Sequence, residues 1–119
     1  MGLTYIKVLV CNPMVPEKKR EMEVLVNTGA VFGVIPGKIL RELEIKPTAV
    51  REFKVFGGKK VRRQTGGALL QYDEVRTEVP VVFGEEEDKP ILGVTALEAL
   101  GYEVDPITKK LKKVDLLML

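Results

Sequence analysis

The sequence predicts an all-β barrel or sandwich carrying one or two short helices, and three observations lead there. Short runs rich in Val, Ile and Leu alternate apolar with polar residues, which is the period of a strand with one buried face. Glycine pairs, prolines and Asp or Asn turns interrupt those runs at short intervals. Only two stretches, after Pro36 and after Gly93, space their apolar residues as a helix would.

Taken in order, Thr4 to Val10 alternates around Ile6, Val8 and Val10 and predicts a strand, which Asn12, Pro13 and Pro16 end. Glu21 to Val26 sets Met22, Val24 and Val26 against Glu21 and Glu23 until Leu25 makes both faces apolar, so this strand enters the core as it nears Asn27. The turn Asn27-Thr28-Gly29-Ala30 leads to the apolar stretch Val31 to Ile35. Pro36 then suits the first position of a helix on which Ile39, Leu40 and Leu43 share a face. Val50 to Phe56 and Lys59 to Gln64 predict two strands joined by a two-residue Gly57-Gly58 loop, and Gly66-Gly67 predicts a further bend.

Ala68 to Tyr72 and Glu74 to Val82 predict two more strands. Glu85, Glu86, Glu87 and Asp88 read as a solvated acidic turn and nothing more. Pro90-Ile91-Leu92-Gly93 leads into a second helix, with Thr95 and Glu98 spaced as a capping box and Gly101 as its left-handed stop. Tyr102 to Val104 and Leu111 to Leu119 are strand-like and separated by an Asp105-Pro106 turn. The apolar tail at Leu116 to Leu119 calls for a partner.

A chain of 119 residues, 45% hydrophobic, suffices for one domain spanning residues 1–119. No apolar run approaches the roughly 20 residues of a membrane-spanning helix. Met1 to Val10 lacks the features of a secretory leader, so the expected setting is cytoplasmic. With one cysteine, Cys11, and no histidine, the chain can build neither an internal disulfide, nor a Ser/His or Cys/His triad, nor a zinc-hydrolase site. No metal and no cofactor is expected, and acid/base chemistry is left to carboxylates, tyrosine and lysine. The net charge of +2 with 30% charged residues describes a mixed-sign surface. The basic cluster Lys59, Lys60, Arg62 and Arg63 lacks aromatic neighbours for base stacking and reads as a solvated hairpin, so neither nucleic acid nor membrane is an expected partner. Abundant Lys and Glu beside two Asn and two Gln resemble the composition of heat-adapted proteins. Tyr72 and Tyr102 read as packing residues.

Val24-Leu25-Val26-Asn27-Thr28-Gly29-Ala30 resembles the signature of retropepsin-like aspartic peptidases, a hydrophobic strand followed by Asp-Thr-Gly-Ala, with Asn27 at the Asp position. Ile91-Leu92-Gly93 before the second helix is similar to the second family element, and the glycine-tipped hairpin Phe53 to Arg63 stands where the family has its flap. An isolated Asn-Thr-Gly is an ordinary turn; the order and spacing of three parts, spread from about Thr4 to about Leu111, carry the resemblance.

The resemblance implies a retropepsin-like half-barrel closed by homodimerisation, with an extended peptide or protein as substrate. Each subunit of such a dimer supplies one aspartate, and the two carboxylates share a proton because both cannot ionise side by side. The ionised one takes a proton from the attacking water while the other donates to the peptide carbonyl. By resemblance Asn27, Thr28 and Gly29 are the catalytic-loop residues, with Thr28 locking the two loops across the axis. Ala30, Val55, Phe56, Gly57, Gly58, Ile91 and Val94 are the peptide-contacting ones.

An amide has nearly the shape of a carboxyl group but cannot act as base, so the chain is expected to keep the fold and lose hydrolysis. An Asp-to-Asn exchange made to disable the enzyme and a natural non-catalytic, peptide-binding relative both give this sequence; the intact surroundings favour the first. Val31 and Val94 stand where retroviral members commonly carry a paired Asp and Arg, which implies a rebuilt dimer contact.

Overall fold

The alternation at the start of the chain becomes a strand: in the computed structural model, which describes residues 3–119, β1 covers Tyr5–Cys11 with Val8, Val10 and Cys11 buried. Met1 and Gly2, the head of the stretch read above for a leader, lie outside the described residues. Then follow β2 (Lys19–Val26), β3 (Gly33–Pro36), α1 (Gly37–Glu42), β4 (Ala49–Lys54), β5 (Lys60–Tyr72), β6 (Val75–Gly84), β7 (Ile91–Leu92), α2 (Val94–Leu100), β8 (Tyr102–Val104) and β9 (Leu111–Lys113).

β1 pairs antiparallel with β2 along its length, from Tyr5↔Leu25 to Cys11↔Lys19, and its far end also pairs with β5, from Leu9↔Gln71 to Cys11↔Leu69. The order β1-β2-β7-β3-β6-β5 therefore returns to β1, and six strands close into a barrel with β4 attached outside the ring on β5. Closure removes most free edges, the hazard of small β proteins. Val8, Val10, Val24, Ile35, Leu40, Leu70, Val81 and Leu92 fill the interior, each at most 1% exposed, and each such burial stabilises by about 1.5–3 kcal/mol relative to exposure. α1 contributes Leu40 to this core and α2 contributes Ala96, Leu97 and Leu100.

Five local expectations are corrected. Val55 N–H donates to Lys59 O (2.8 Å) and Gly58 N–H to Val55 O (3.0 Å), so the hairpin loop is Phe56-Gly57-Gly58 rather than two glycines. Both glycines have positive φ, 92° and 86°, which is the reason the chain needs them. Gly66-Gly67 does not interrupt the strand: β5 continues through both residues, which pair with Val81 and Pro80. A Cβ at Gly66 would lie 3.1 Å from Lys46 O and 3.2 Å from the Phe83 ring, and one at Gly67 would lie 3.2 Å from Glu78 Oε2, so these residues make room for neighbours.

The Thr95/Glu98 capping box does not form. Gly93 is the N-cap, without a side-chain cap bond, and the first helical N–H groups of α2 are instead satisfied by carbonyls of the loop after Asn27. Gly101 does supply the left-handed stop, at φ 82° and ψ 34°. The strand expected over Leu111 to Leu119 ends at Lys113, and Leu116, Leu117, Met118 and Leu119 are exposed; a strand needs a neighbour to pair with, and none lies there among the described residues. Lastly, the acidic turn and the basic hairpin are not separately solvated, because Arg63 pairs with that turn.

Asn12 pins the β1–β2 connection to the end of α1. Its buried amide donates to Leu43 O (2.9 Å) and Glu44 O (3.2 Å), and its carbonyl accepts the N–H groups of Met14 and Val15. Replacing Asn12 with Ala strands those carbonyls and is expected to cost about 2–3 kcal/mol, read as a lower urea midpoint at unchanged slope.

Candidate active site

β2 brings the half-buried Leu25 and Val26 beside β7, which runs parallel to it (Leu25↔Ile91, Val26↔Leu92), and Leu25 lines a cleft rather than entering the core as the sequence suggests. Where β2 leaves the sheet, Asn27 N–H donates to Leu92 O at 3.0 Å, and Ala30 N–H closes the turn on Asn27 O at 3.2 Å. The Asn27 side chain is fixed from within the loop, its Oδ1 accepting Gly29 N–H at 2.9 Å. A side chain on Gly29 would crowd that oxygen, since a Cβ there would lie 3.2 Å from it. The start of α2 completes the frame: Val94 N–H reaches Ala30 O at 2.7 Å and Thr95 N–H reaches Val31 O at 3.1 Å. Backbone from β7 and α2 thus positions the loop, and the exposed Asn27, Thr28 and Gly29 are presented at its top.

A cleft of about 620 Å³ opens beside this loop. Its apolar lining includes Leu25, Ala30, Val34, Phe53, Val82 and Ile91, and its charged lining is Glu52, Lys54, Arg63, Glu87, Asp88 and Lys89. Of the residues singled out from the sequence, Asn27, Gly29, Ala30, Val55 and Ile91 line the cleft. Thr28, Phe56, Gly57, Gly58 and Val94 do not: Thr28 is exposed on the loop, Phe56 to Gly58 form the hairpin tip beyond the cleft, and Val94 sits inside the first turn of α2. Among the described residues no group of three or more His, Cys, Asp or Glu side chains is placed to hold a metal ion, and no helix is long and apolar enough to cross a membrane.

Sequence reasoning missed the wall formed by Arg63, Glu87 and Asp88. Arg63 Nε donates to Asp88 Oδ2 at 2.7 Å, and its Nη2 donates to Asp88 Oδ1 and Glu87 Oε1, both at 3.2 Å. Nη1 lies 3.7 Å from Glu85 Oε2. The Arg63 side chain is 11% exposed. The hydrogen bond from Arg63 holds the Asp88 carboxyl below the usual carboxylate range, helped by the Glu85 N–H, and the same bond raises Arg63. The signal for this cluster was the β5–β6 register: Thr65↔Val82 sets Arg63 alongside the turn that begins at Glu85.

A carboxyl whose pKa is depressed on folding adds stability above its unfolded value and loses it as pH falls through the folded value. The Asp88 contribution is therefore complete above about pH 4 and declines below the ordinary value of 3.8. Asp88→Asn is expected to be less stable than the parent at pH 7 and to converge with it in acid, read from urea midpoints at pH 7, 4 and 2.5.

No protein-family model matches the chain, and no curated protein matches it. Among solved structures, the EIAV protease complexed with the inhibitor HBY-793 superposes with a TM-score of 0.58 at 17% identity, covering 98% of this chain and 94% of that one. A retropepsin-like aspartic protease from Rickettsia conorii gives a TM-score of 0.49 at 14% identity over 88% of this chain and 89% of that one. The fold is retropepsin-like.

Proposed function

We propose that residues 1–119 form one subunit of a homodimeric, retropepsin-like aspartic endopeptidase in which Asn27 occupies the catalytic Asp position, so that the chain as it stands holds peptide without cleaving it. The observation that carries this reading is the loop itself. Asn27, Thr28 and Gly29 lie exposed on a turn braced by β7 and α2, with Asn27 and Gly29 lining the cleft, in a fold like that of a protease complexed with an inhibitor.

Dimerisation is supported by what one chain leaves uncovered. Leu116, Leu117, Met118 and Leu119 are 71% exposed or more, and Val31 beside the loop is 63% exposed; apolar surface of this kind is ordinarily buried by a partner. The β4–β5 hairpin supplies the flap of this reading, with Phe56, Gly57 and Gly58 at its tip, and an extended peptide lies between it and the Asn27 loops, held by strand-like backbone bonds.

The second reading, a natural peptide-binding dimer without chemistry, draws on Asn27 directly, because an amide there forms the Gly29 bond and lacks only the titrating proton. The test is peptide hydrolysis across pH by Asn27→Asp beside the Asn27 protein, with sedimentation of both. Cleavage by the aspartate form alone supports the peptidase; two dimers that bind peptide and cleave nothing leave the binding module.

A further inference from the structure

β5 has β6 beside it from Thr65 onward and β1 beside it at Leu69–Gln71. From Lys60 to Gln64 its pairing is with β4 (Val50↔Gln64 to Lys54↔Lys60), and among the described residues β4 has no second strand neighbour. This part of the chain therefore leaves the barrel as a two-stranded ribbon, a form that is marginal in water by itself. Every β4 side chain except Phe53 is exposed. Even so, Phe53, Val55, Val61 and Arg63 of the ribbon form one wall of the cleft.

Two sets of contacts tie the ribbon to the cleft's other walls. On Phe32, the Phe53 ring packs edge-on at 6.2 Å and the Arg51 guanidinium lies 5.3 Å from the ring centre. Each is a weak, adjustable contact. At Arg63 the tie is directional: two parallel bonds to the two oxygens of Asp88, a third to Glu87, and a donation from Nη1 to the Arg62 carbonyl that orients the guanidinium plane. Asp88 is itself fixed, its Oδ2 accepting Glu85 N–H at 2.8 Å while its own N–H donates to Glu85 O at 2.9 Å. Two residues on, Pro90 O accepts Leu25 N–H, so the turn gripped by Arg63 continues into the strand that braces the Asn27 loop.

We propose that Arg63 is a positioning residue for bound peptide: its forked grip on Asp88, extended to Glu87, holds the ribbon at the spacing from the Asn27 loop that an extended peptide requires. It takes no part in proton transfer. The bidentate geometry is one that a lysine cannot reproduce. The proposal rests on the peptide-cleft reading above for its ligand, while the tethering itself does not.

The test uses Arg63→Met, Arg63→Lys and the exchange Arg63→Asp with Asp88→Arg, each made in the Asn27 protein and in Asn27→Asp. Hydrogen exchange reads the tether without reference to activity. In Arg63→Met the amides of Val55 to Val61 are expected to exchange about tenfold faster, with those of β1 and Ala68 to Tyr72 unchanged; Lys falls between, and the charge exchange restores part of the protection. In Asn27→Asp, loss of the charge-assisted bonds raises KM for a peptide about tenfold, with kcat within about twofold and the pH profile in place. Unchanged ribbon exchange in Arg63→Met, or equal acceleration throughout the barrel, overturns the tether. Faster ribbon exchange with unchanged KM overturns the role in peptide positioning. If Asn27→Asp cleaves nothing, the peptidase reading fails by itself, and affinity for a statine-type peptide replaces KM in deciding the role of Arg63.

Discussion

Replacing Asn27 with aspartate is expected to raise peptide hydrolysis from background by at least roughly a thousandfold, the scale that a positioned general acid and base supply. The structure makes the exchange conservative in every respect but protonation. Asn27 Oδ1 already accepts Gly29 N–H at 2.9 Å, a bond a carboxylate accepts more strongly. The backbone bonds from Asn27 and Ala30 do not involve the side chain. Nothing has to move for a carboxyl to stand there. Across the two-fold axis of the proposed dimer, two such carboxyls repel when both are ionised and so share one proton, giving two apparent pKa values that belong to the pair.

Activity is then bell-shaped in pH. Below the lower value both carboxyls are protonated and no base remains; above the upper value both are ionised and no acid remains. The optimum falls in the acidic to neutral range, and a pepstatin-type inhibitor suppresses it. A folded, dimeric Asn27→Asp protein that cleaves no peptide at any pH from about 4 to 7 and binds no such inhibitor would sink the peptidase assignment.

The parts of this fold legible in the sequence are those whose reasons are local. Ile6, Val8 and Val10 alternate because one face of β1 is buried, and Leu25 breaks the alternation of β2 because that side of the strand lines the cleft beside β7. The left-handed stop at Gly101 needs only the residue itself and the helix before it. The Asn27 loop is contiguous, so its composition could be compared directly with a family signature.

What stayed hidden depends on partners far away in the chain. Gly66-Gly67 has the composition of a turn, and only the approach of Lys46 O and the Phe83 ring shows that it is a place where bulk would not fit. Thr95 has a capping residue's chemistry, yet the helix took its first acceptors from Ala30 and Val31, more than sixty positions earlier. Arg63 and Asp88 lie in two runs of opposite charge that look solvated when read one at a time; they become a wall of the cleft once Thr65↔Val82 sets the register. The residues that would act on a substrate were therefore easier to read than those that shape the cavity around it.

Gly93→Ala is expected to remove the folded state, costing more than about 4 kcal/mol, a size reserved for changes the structure cannot absorb. Gly93 has φ −84° and ψ 174°, backbone that any residue adopts, so conformational strain is not the cause. The cause is contact: a Cβ there would lie 2.5 Å from Phe32 C, 2.6 Å from Phe32 O and 2.9 Å from Gly33 N. All three are backbone atoms, and none can rotate away as a flexible side chain would. The reciprocal position is nearly as tight, with a Cβ on Gly33 lying 2.9 Å from Ile91 O.

These two glycines let the chain after the Asn27 loop cross the β7–α2 junction at touching distance, and that crossing brings the N–H groups of Val94 and Thr95 onto Ala30 O and Val31 O. Forcing the segments apart would strip the loop of its brace along with its packing. Gly57→Ala is the control. Gly57 has φ 92° and no atom within 4 Å of an added Cβ, so its substitution costs only the left-handed penalty of about 1–2 kcal/mol and leaves the barrel intact. Circular dichroism and urea midpoints of the two variants separate the cases: a Gly93→Ala protein that unfolds at the parent's midpoint would mean that the crossing is not closed, and that the glycine after Ile91-Leu92 serves something other than backbone contact.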